Sequence, residues 1–470
     1  ADSGDELATR FAARAGAVLG LAVSASGDAG GTTFSLAGSA SDVLGGLNNS
    51  PMKLELTARN DDATALYAIA GVPTLPLGLV GPGNVEFSFE GRLSSGVDAK
   101  LDFAGDAMSA TFEGQAALTN GNLSTHGAAR IEADDLEPWL ATAGVSFPRF
   151  GYGLPVSATA EVDEQDGLIV ISNLRGTFAD TQVDGDINAQ LDDAGVQLSG
   201  EVALSFLDLT LISEMLVGSD ALQPDGSPWP SAAFATSASM PFTGELGLTV
   251  EQLSSAGWQA NDARFLLNLR SDGASLSNFT AEAYGGQVSG NADFANNDGT
   301  GLMSGQIRVA GADTTALFGD TGLTGVVELA TTFSASGKSI DGLVASLAGS
   351  GSMHLDGAAI SNVAPDAFDG LLRAADERGR EIDADTTKRI AEDHIRKGSF
   401  PVDEADVAFT IANGTLRAPP VRLKASGALL SVDAQADLRQ RILTANALLT
   451  YDAGNNSLAG SEPAIRFSAI

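Results

Sequence analysis

The chain has 470 residues, with 60 acidic and 26 basic side chains and a formal net charge of −34. A surface this acidic disfavours nucleic acid and anionic membrane surfaces, because binding to phosphates depends mainly on Lys and Arg. The absence of cysteine excludes disulfides, thiolate nucleophiles and thiolate metal sites. It fits an oxidising compartment such as a periplasm, and chance absence explains it equally well.

The N-terminal region contains no segment that reads as a membrane anchor. No run of about 18 apolar residues occurs, which is the length that a membrane-spanning helix needs. Residues 17–24 (AVLGLAVS) are few for a signal peptide, and acidic residues precede them where a basic flank is expected. We therefore expect any export signal or anchor to lie upstream of Ala1, so that the chain is a fragment.

Alternation of apolar and polar residues is the main pattern along the chain. It is clearest in Val97–Phe103, Val183–Leu191 and Val432–Leu438. Because strand side chains point to opposite faces in turn, these runs predict a sheet with one apolar and one polar face. Turn formers such as Asp166-Gly167 and Asn413-Gly414 separate the runs. Such dipeptides favour tight hairpins, so the strands are predicted to pair antiparallel.

The chain also repeats itself. Residues 58–82 recur in outline at 129–155, with looser echoes at 200–218 and 305–322. Each copy joins an alternating strand, an Asp-containing bend and a short apolar stretch. A tandem array of one such unit predicts an elongated, mostly β fold. We divide it into a tandem β-repeat region, 1–239, and a C-terminal region, 240–470.

One stretch departs from the β pattern and predicts a short helical insert near 365–398. Here Phe368 and Ala375, and later Ile390 and Ile395, follow helical spacing. Asp366 and Asp385 are predicted to cap the N-termini of two helices.

A one-sided apolar sheet must cover its apolar face. At about ten residues per strand and turn, the chain gives on the order of 35–40 strands. A helix pair of ~30 residues covers only a few of them. Many apolar positions are Gly or Ala, so a curled antiparallel sheet would enclose a groove suited to acyl chains. The alternative is a closed sandwich with a filled core, and the residues alone favour neither.

In the groove hypothesis, the apolar residues of the alternating strands contact lipid. The candidate lipid-binding residues are Val97, Leu101, Phe103, Val183, Ile187, Leu191, Val432 and Leu438.

Signals for catalysis are missing from the sequence. The three histidines, His126, His354 and His394, are far apart and belong to no recognisable ligand cluster. A nucleophile elbow, a P-loop and the HExxH zinc motif are absent. We therefore predict that the protein is not an enzyme and has no catalytic residue, metal site or cofactor.

From about Met240 onward the sequence resembles the C-terminal part of AsmA-family proteins. The resemblance rests on a strand, a turn and Tyr284-Gly285-Gly286 within 241–290, on LVASLAGSGS and DGA within 343–358, and on FTIANGTL at 409–416. A helical stretch between the last two segments agrees with the family pattern. The resemblance covers about half of the chain, and residues 1–239 fit only as looser repeats.

The resemblance implies a β-groove protein in the periplasm of a Gram-negative bacterium, tethered to the inner membrane through the missing N-terminal segment. It implies a part in outer-membrane biogenesis and in moving phospholipid between membranes. The partners would be phospholipid acyl chains and periplasmic or outer-membrane proteins. This favours the groove over the sandwich. The second hypothesis is a structural or adhesive β-repeat protein with a filled core and no lipid ligand.

Overall fold

A computed structural model of the chain confirms the mostly-β fold class, with 63% of residues in strands and 14% in helices. The residues that it describes are 20–43, 46–69, 74–75, 77–119, 122–145, 151–192, 195–237, 240, 242–378, 383–451 and 464–469. They form twenty-four strands, which pair mostly antiparallel. The predicted number of strands was too high, because it allowed about ten residues for a strand together with its turn, whereas most strands alone contain nine to fifteen residues.

The described residues fall into two units by their contacts. Unit 1 contains the residues up to Asp208 with 240–251 and 268–271, and unit 2 contains 209–239, 252–267 and 272–470. The units follow spatial contacts and not the repeats, so the predicted boundary at 239/240 stays a prediction. Unit 1 is built from β1 Leu21–Ala29, β2 Thr32–Ala40, β3 Met52–Asn60, β4 Gly83–Arg92, β5 Gly96–Gly105, β6 Met108–Thr119, β7 Asn122–Ala133, β8 Val156–Gln165, β9 Leu168–Phe178, β10 Thr181–Asp192 and β11 Gly195–Asp208.

In unit 1 each strand from β1 to β11 pairs antiparallel with the next one along the chain. The hairpin chemistry follows the sequence. Asp166 and Gly167 both have positive φ, as a type I′ turn between β8 and β9 requires. Asn413 and Gly414 do the same later in the chain.

The strands after β11 continue the antiparallel pattern. They are β12 Phe242–Ser255, β13 Trp258–Arg270, β14 Gly273–Ala283, β15 Gly286–Asn297, β16 Thr300–Asp313, β17 Leu323–Gly337, β18 Ala348–Ser361, β19 Ser399–Ala412, β20 Thr415–Arg417, β21 Val421–Ala425, β22 Ala428–Asp437, β23 Ile442–Tyr451 and β24 Ala464–Ala469. Within unit 2, β14 to β19 pair in chain order, β22 pairs with both β20 and β21, and β23 and β24 follow.

The helices are short and follow the ends of strands. They are α1 Thr64–Ile69, α2 Glu137–Thr142, α3 Leu209–Val217, α4 Thr314–Phe318, α5 Ile340–Ser346, α6 Ala367–Arg378 and α7 Ala384–Ile395, with 3-10 turns at Leu47–Asn49 and Ser219–Leu222. The helices α1 to α4 lie where the repeats place their short apolar stretches, so the repeating unit is a strand followed by a helical turn. Sequence alternation did not predict these four, because each is too short to show helical spacing.

The helical insert is confirmed. Its two helices are α6 and α7, and Asp366 precedes the first one as predicted. The second helix begins at Ala384, so Asp385 lies inside it and not at its N-cap. Phe368 packs on Tyr451 at the end of β23 with ring centroids 5.6 Å apart, and Ala364, Ala367 and Ile395 form a buried cluster beside it. The insert therefore covers one end of the C-terminal strands of unit 2.

The long connection 223–237, which follows the second 3-10 turn, is held to several elements of unit 2. The Phe234 N–H donates to the Lys338 carbonyl and the Trp229 Nε1–H donates to the Leu438 carbonyl, at 2.8 and 2.9 Å. Arg441 lies 4.1 Å from the centroid of the Trp229 ring. The connection thus ties the start of α5 to the turn between β22 and β23.

No helix among the described residues has both the length and the apolar character that spanning a membrane requires.

Candidate functional site

The apolar side chains of unit 1 form continuous rows across neighbouring strands. Because the register of every hairpin keeps apolar residues opposite apolar residues, each row passes from strand to strand without a polar side chain. The row through Ile187 runs over all eleven strands: Val23, Gly38, Leu54, Phe89, Ala99, Gly114, Gly127, Val162, Ile171, Ile187 and Gly200.

Two further rows lie parallel to this one on the same face. The row through Leu101 consists of Ala25, Leu36, Leu56, Phe87, Leu101, Phe112, Ala129 and Ala160. The row through Phe103 consists of Gly27, Phe34, Ala58, Val85, Phe103, Ala110, Ile131, Ala158, Gly176, Val183 and Leu204. Together the three rows define the apolar face of unit 1. Ten strand spacings of about 4.8 Å make it roughly 48 Å long.

Short helices cover one end of this face. Trp139 of α2 is 3% exposed and packs edge-on against Phe103, with ring centroids 5.4 Å apart. Tyr67 of α1 lies 5.8 Å from Trp139 and 6.3 Å from Phe103 between ring centroids. Burial raises the pKa of Tyr67 to about 12. The row through Phe103 is therefore partly a conventional core.

The row through Leu101 is more accessible. Leu36, Leu56, Phe87, Leu101 and Phe112 are all only partly buried. This row lies two residues further from α1 and α2 along each strand than the row through Phe103. Its side chains are thus available to a ligand that lies across the strands.

In both units, glycine on the apolar side of a strand makes room for an aromatic ring of a neighbouring strand. A Cβ on Gly127 would lie 2.9 Å from Cζ of Phe112, and one on Gly305 would lie 2.8 Å from Cζ of Phe333. Both distances are shorter than a normal contact. Aromatic rings therefore fill part of the volume that these small residues were expected, from the sequence, to leave open for a ligand.

Unit 2 carries an apolar face of its own. One of its rows crosses six strands through Ala281, Val288, Val309, Leu329, Met353 and Val407. Ile307 lies on the same side of β16 as Val309, and Leu443 lies on the same side of β23 as the buried Leu449. The two residues are 38% and 47% exposed. Unit 2 therefore also presents accessible apolar side chains to a ligand.

The predicted lipid-binding residues lie in both units. Leu101 and Phe103 belong to the apolar face on β5, and Val183 and Ile187 belong to it on β10. Val97 lies on the same side of β5, next to the row through Ile187. Val97, Phe103 and Val183 are buried to 9% exposure or less. In unit 2, Val432 lies between Val421 and Ala447, and Leu438 lies just past the end of β22. The side chain of Leu191 is outside the described residues. The rows also contain Phe87, Phe89 and Phe112, which the prediction omitted although their alternation is equally regular.

A group of ionisable residues occupies the polar face of unit 2. His354 on β18 lies opposite Asp406 on β19, with 2.9 Å between Nδ1 and Oδ1. With Glu404 they bring one ligand atom each within 4.8 Å of one another, and no other such group of three occurs among the residues that the structure describes. The Asp406 side chain is 83% exposed, so its carboxylate is well hydrated and the arrangement is best described as a surface ion pair. The sequence did not reveal it, because the carboxylates come from a strand about 50 residues further on.

The pair makes a prediction about pH. The hydrogen bond to Asp406 raises the pKa of His354, and the charges of Glu404 and Glu328 add to this. Since the folded-state pKa is the higher one, the pair stabilises the fold below the pKa of unfolded histidine. This contribution is lost as the pH rises through the folded-state pKa. We expect Asp406→Asn to lower the pKa of His354, as measured by NMR titration of its ring protons. Asp403→Asn, the same charge change on the same strand, should change it less, and equal shifts would contradict this assignment.

Comparison of the chain with models of protein families, with curated proteins and with solved structures finds no match. The class that the fold and the site define is thus an antiparallel β-sheet repeat protein with one continuous apolar face in unit 1 and another in unit 2. The resemblance to the AsmA family stays a prediction from the sequence motifs.

Proposed function

We propose that this protein binds phospholipid acyl chains along its apolar sheet faces, and that it takes part in phospholipid transport between membranes and in outer-membrane biogenesis. The observation that carries the proposal is the set of three apolar rows in unit 1. The location in a Gram-negative periplasm, the tether to the inner membrane and the protein partners rest on the resemblance to the AsmA family.

The size of the face supports a lipid ligand. Side chains of neighbouring rows are about 6.6 Å apart along a strand, so three rows are at least ~13 Å wide. The rows through Ile187 and Phe103 are ~48 Å long, and the row through Leu101, which crosses eight strands, is ~34 Å long. The rows through Ile187 and Leu101, which lie further from the helices, alone span an area on the order of 300 Å², comparable with the few hundred Å² that a monomer usually exposes as one apolar patch. A ligand for such a face must be long and apolar, and an acyl chain has both properties.

The composition of the rows supports the same ligand. The row through Ile187 contains four glycines and no side chain that donates or accepts a hydrogen bond. Such a surface cannot orient a polar ligand, because a buried polar group without a partner loses free energy. It holds a chain of methylene groups by area alone, and it allows the chain to slide because each position resembles the next.

The proposal is tested by the lipids that the protein carries and by where they touch it. Mass spectrometry of an extract from gently purified protein should find phospholipid. A photo-crosslinking residue at Ile187 should capture lipid, whereas one at Asn188 should not, because neighbouring side chains on β10 point to opposite faces. Asn188 is a suitable control, since it is exposed and its side chain makes no hydrogen bond among the described residues.

Two results would contradict the proposal. Equal capture at Ile187 and Asn188 would mean that lipid binds without regard to the apolar face. A protein that never carries lipid would favour the structural or adhesive β-repeat protein. The burial of Phe103 beneath Trp139 and Tyr67 supports that second hypothesis at the helical end of the face only.

A further inference from the structure

The charge of the chain is distributed unevenly along the sequence. Residues 417–470 contain six basic and four acidic residues, whereas the other 416 residues contain twenty and fifty-six. Residues 417–470 therefore carry no net negative charge, although the chain as a whole does. The charge of the whole chain, which predicts no affinity for anionic surfaces, does not describe this part.

Three of the six basic residues of this part, Arg422, Lys424 and Arg466, share the polar face of β21 to β24. The register places Arg422, Ser431, Leu448 and Arg466 in one row across the four strands. Lys424 lies next to Arg422 on β21, and the row beside the first pairs Lys424 with Leu429. We call the surface formed by Arg422, Lys424, Leu429, Leu448 and Arg466 the basic face.

The arginines of the basic face are not neutralised within the fold. Arg422 and Arg466 are exposed, and neither side chain has an ion pair or hydrogen bond with any residue that the structure describes. Leu429 and Leu448 lie between them and are partly exposed. The same face also carries one acidic side chain near the row, Asp433, which is two residues from Ser431 on β22. A shallow depression of about 520 Å³ lies beside Ser431, Leu448 and Arg466.

We infer that the basic face contacts the phosphate headgroups of an anionic lipid bilayer. Basic side chains near such a surface attract it, and leucines between them can enter the headgroup boundary. The strongly acidic remainder of the chain is repelled by the same surface. The protein would therefore meet the bilayer through the C-terminal strands. This inference deepens the proposed function, because it names the part of the protein that would exchange lipid with a membrane.

The test is co-sedimentation of the full chain with vesicles. Binding is expected to vesicles of phosphatidylcholine mixed with phosphatidylglycerol, and to weaken as salt is added, whereas pure phosphatidylcholine should bind far less. The affinity of the double variant R422E/R466E for the mixed vesicles should be lower by a factor of about ten or more, because each basic side chain near an anionic surface contributes to the attraction. Circular dichroism should show that the variant is folded.

The matched control is R264E/R308E, which makes the same change in net charge at two other exposed arginines of unit 2. Neither of these has an ion pair among the described residues. The control should bind the mixed vesicles much as the unchanged protein does. An equal loss in both double variants, or no preference of the unchanged protein for phosphatidylglycerol, would overturn the inference. If a DNA oligonucleotide bound as tightly as the mixed vesicles do, and R422E/R466E abolished that binding, the inference of a lipid bilayer would also be overturned.

Failure here and failure of the proposed function give different results. If R422E/R466E binds vesicles normally but Ile187 still captures lipid, the bilayer contact is wrong and the acyl-chain site stands. If the basic face binds vesicles but Ile187 captures nothing, the bilayer contact stands without the acyl-chain site.

Discussion

Replacing Leu101 with arginine is expected to lower the amount of phospholipid that copurifies with the protein by about tenfold or more. Leu101 lies in the accessible row between Phe87 and Phe112, away from α1 and α2. A guanidinium group at this position would therefore contact the bound acyl chain and not the helices. An unpaired charge in an apolar site costs more than the ~1.4 kcal/mol that a tenfold change in affinity corresponds to. Lipid content is measured by mass spectrometry against protein concentration.

The matched control for this substitution is Ala104→Arg. Ala104 is on the same strand and is exposed on the polar face, so the variant adds the same charge without entering the apolar rows. The free energy of unfolding of Leu101→Arg should fall by only on the order of 1 kcal/mol, because Leu101 is partly exposed and the long side chain can turn outward. A variant that keeps its lipid, or a control that loses as much, would show that the row through Leu101 is not the binding surface.

Much of the fold follows from alternation alone. Val97–Phe103 and Val183–Leu191 were predicted as one-sided strands, and both lie in antiparallel strands. Val97, Leu101 and Phe103 share one face of β5, and Val183 and Ile187 share one face of β10. This succeeded because a period of two leaves only one register in which every apolar side chain shares a face. The hairpin at Asp166-Gly167 was equally predictable, since few residues other than Gly, Asn and Asp adopt positive φ without strain.

The short helices and the ion pair could not be predicted in this way. Trp139 and Tyr67 come from stretches of six residues, in which helical and extended patterns look alike. Their contact with Phe103 joins three separate segments, and nothing local in the sequence records it. The same holds for His354 and Asp406, which are opposite each other only because α6 and α7 occupy the chain between β18 and β19.

The candidate site was predictable in kind but not in extent. Alternation marks which residues face the apolar side, so Leu101 and Ile187 could be chosen from the sequence. Which of them are covered depends on the helices, and the sequence gives no sign that Phe103 lies beneath Trp139 while Leu101 does not. The distinction between core and binding surface is therefore a property of packing.

Trp139→Ala is expected to lower the free energy of unfolding of unit 1 by about 3–5 kcal/mol, the usual effect of removing a large buried aromatic side chain. The Trp139 ring is 3% exposed, packs on Phe103 and Tyr67, and lies over Gly105, where a Cβ would have no room. Because β-repeat arrays lose stability locally, the change should concentrate in the strands beside α2. Hydrogen exchange should show faster exchange in β5 and β7 than in the unchanged protein.

The control, Trp139→Phe, keeps an aromatic ring over Phe103 and should lose clearly less stability. Phospholipid capture at Ile187 separates the two roles of the apolar face. If the helices only stabilise one end, Trp139→Ala should still capture lipid at Ile187 under conditions in which it is folded, because Ile187 lies in a different row on β10. Loss of capture in a folded Trp139→Ala variant would mean that α1 and α2 form part of the binding surface, and that the row through Phe103 belongs to the ligand site after all.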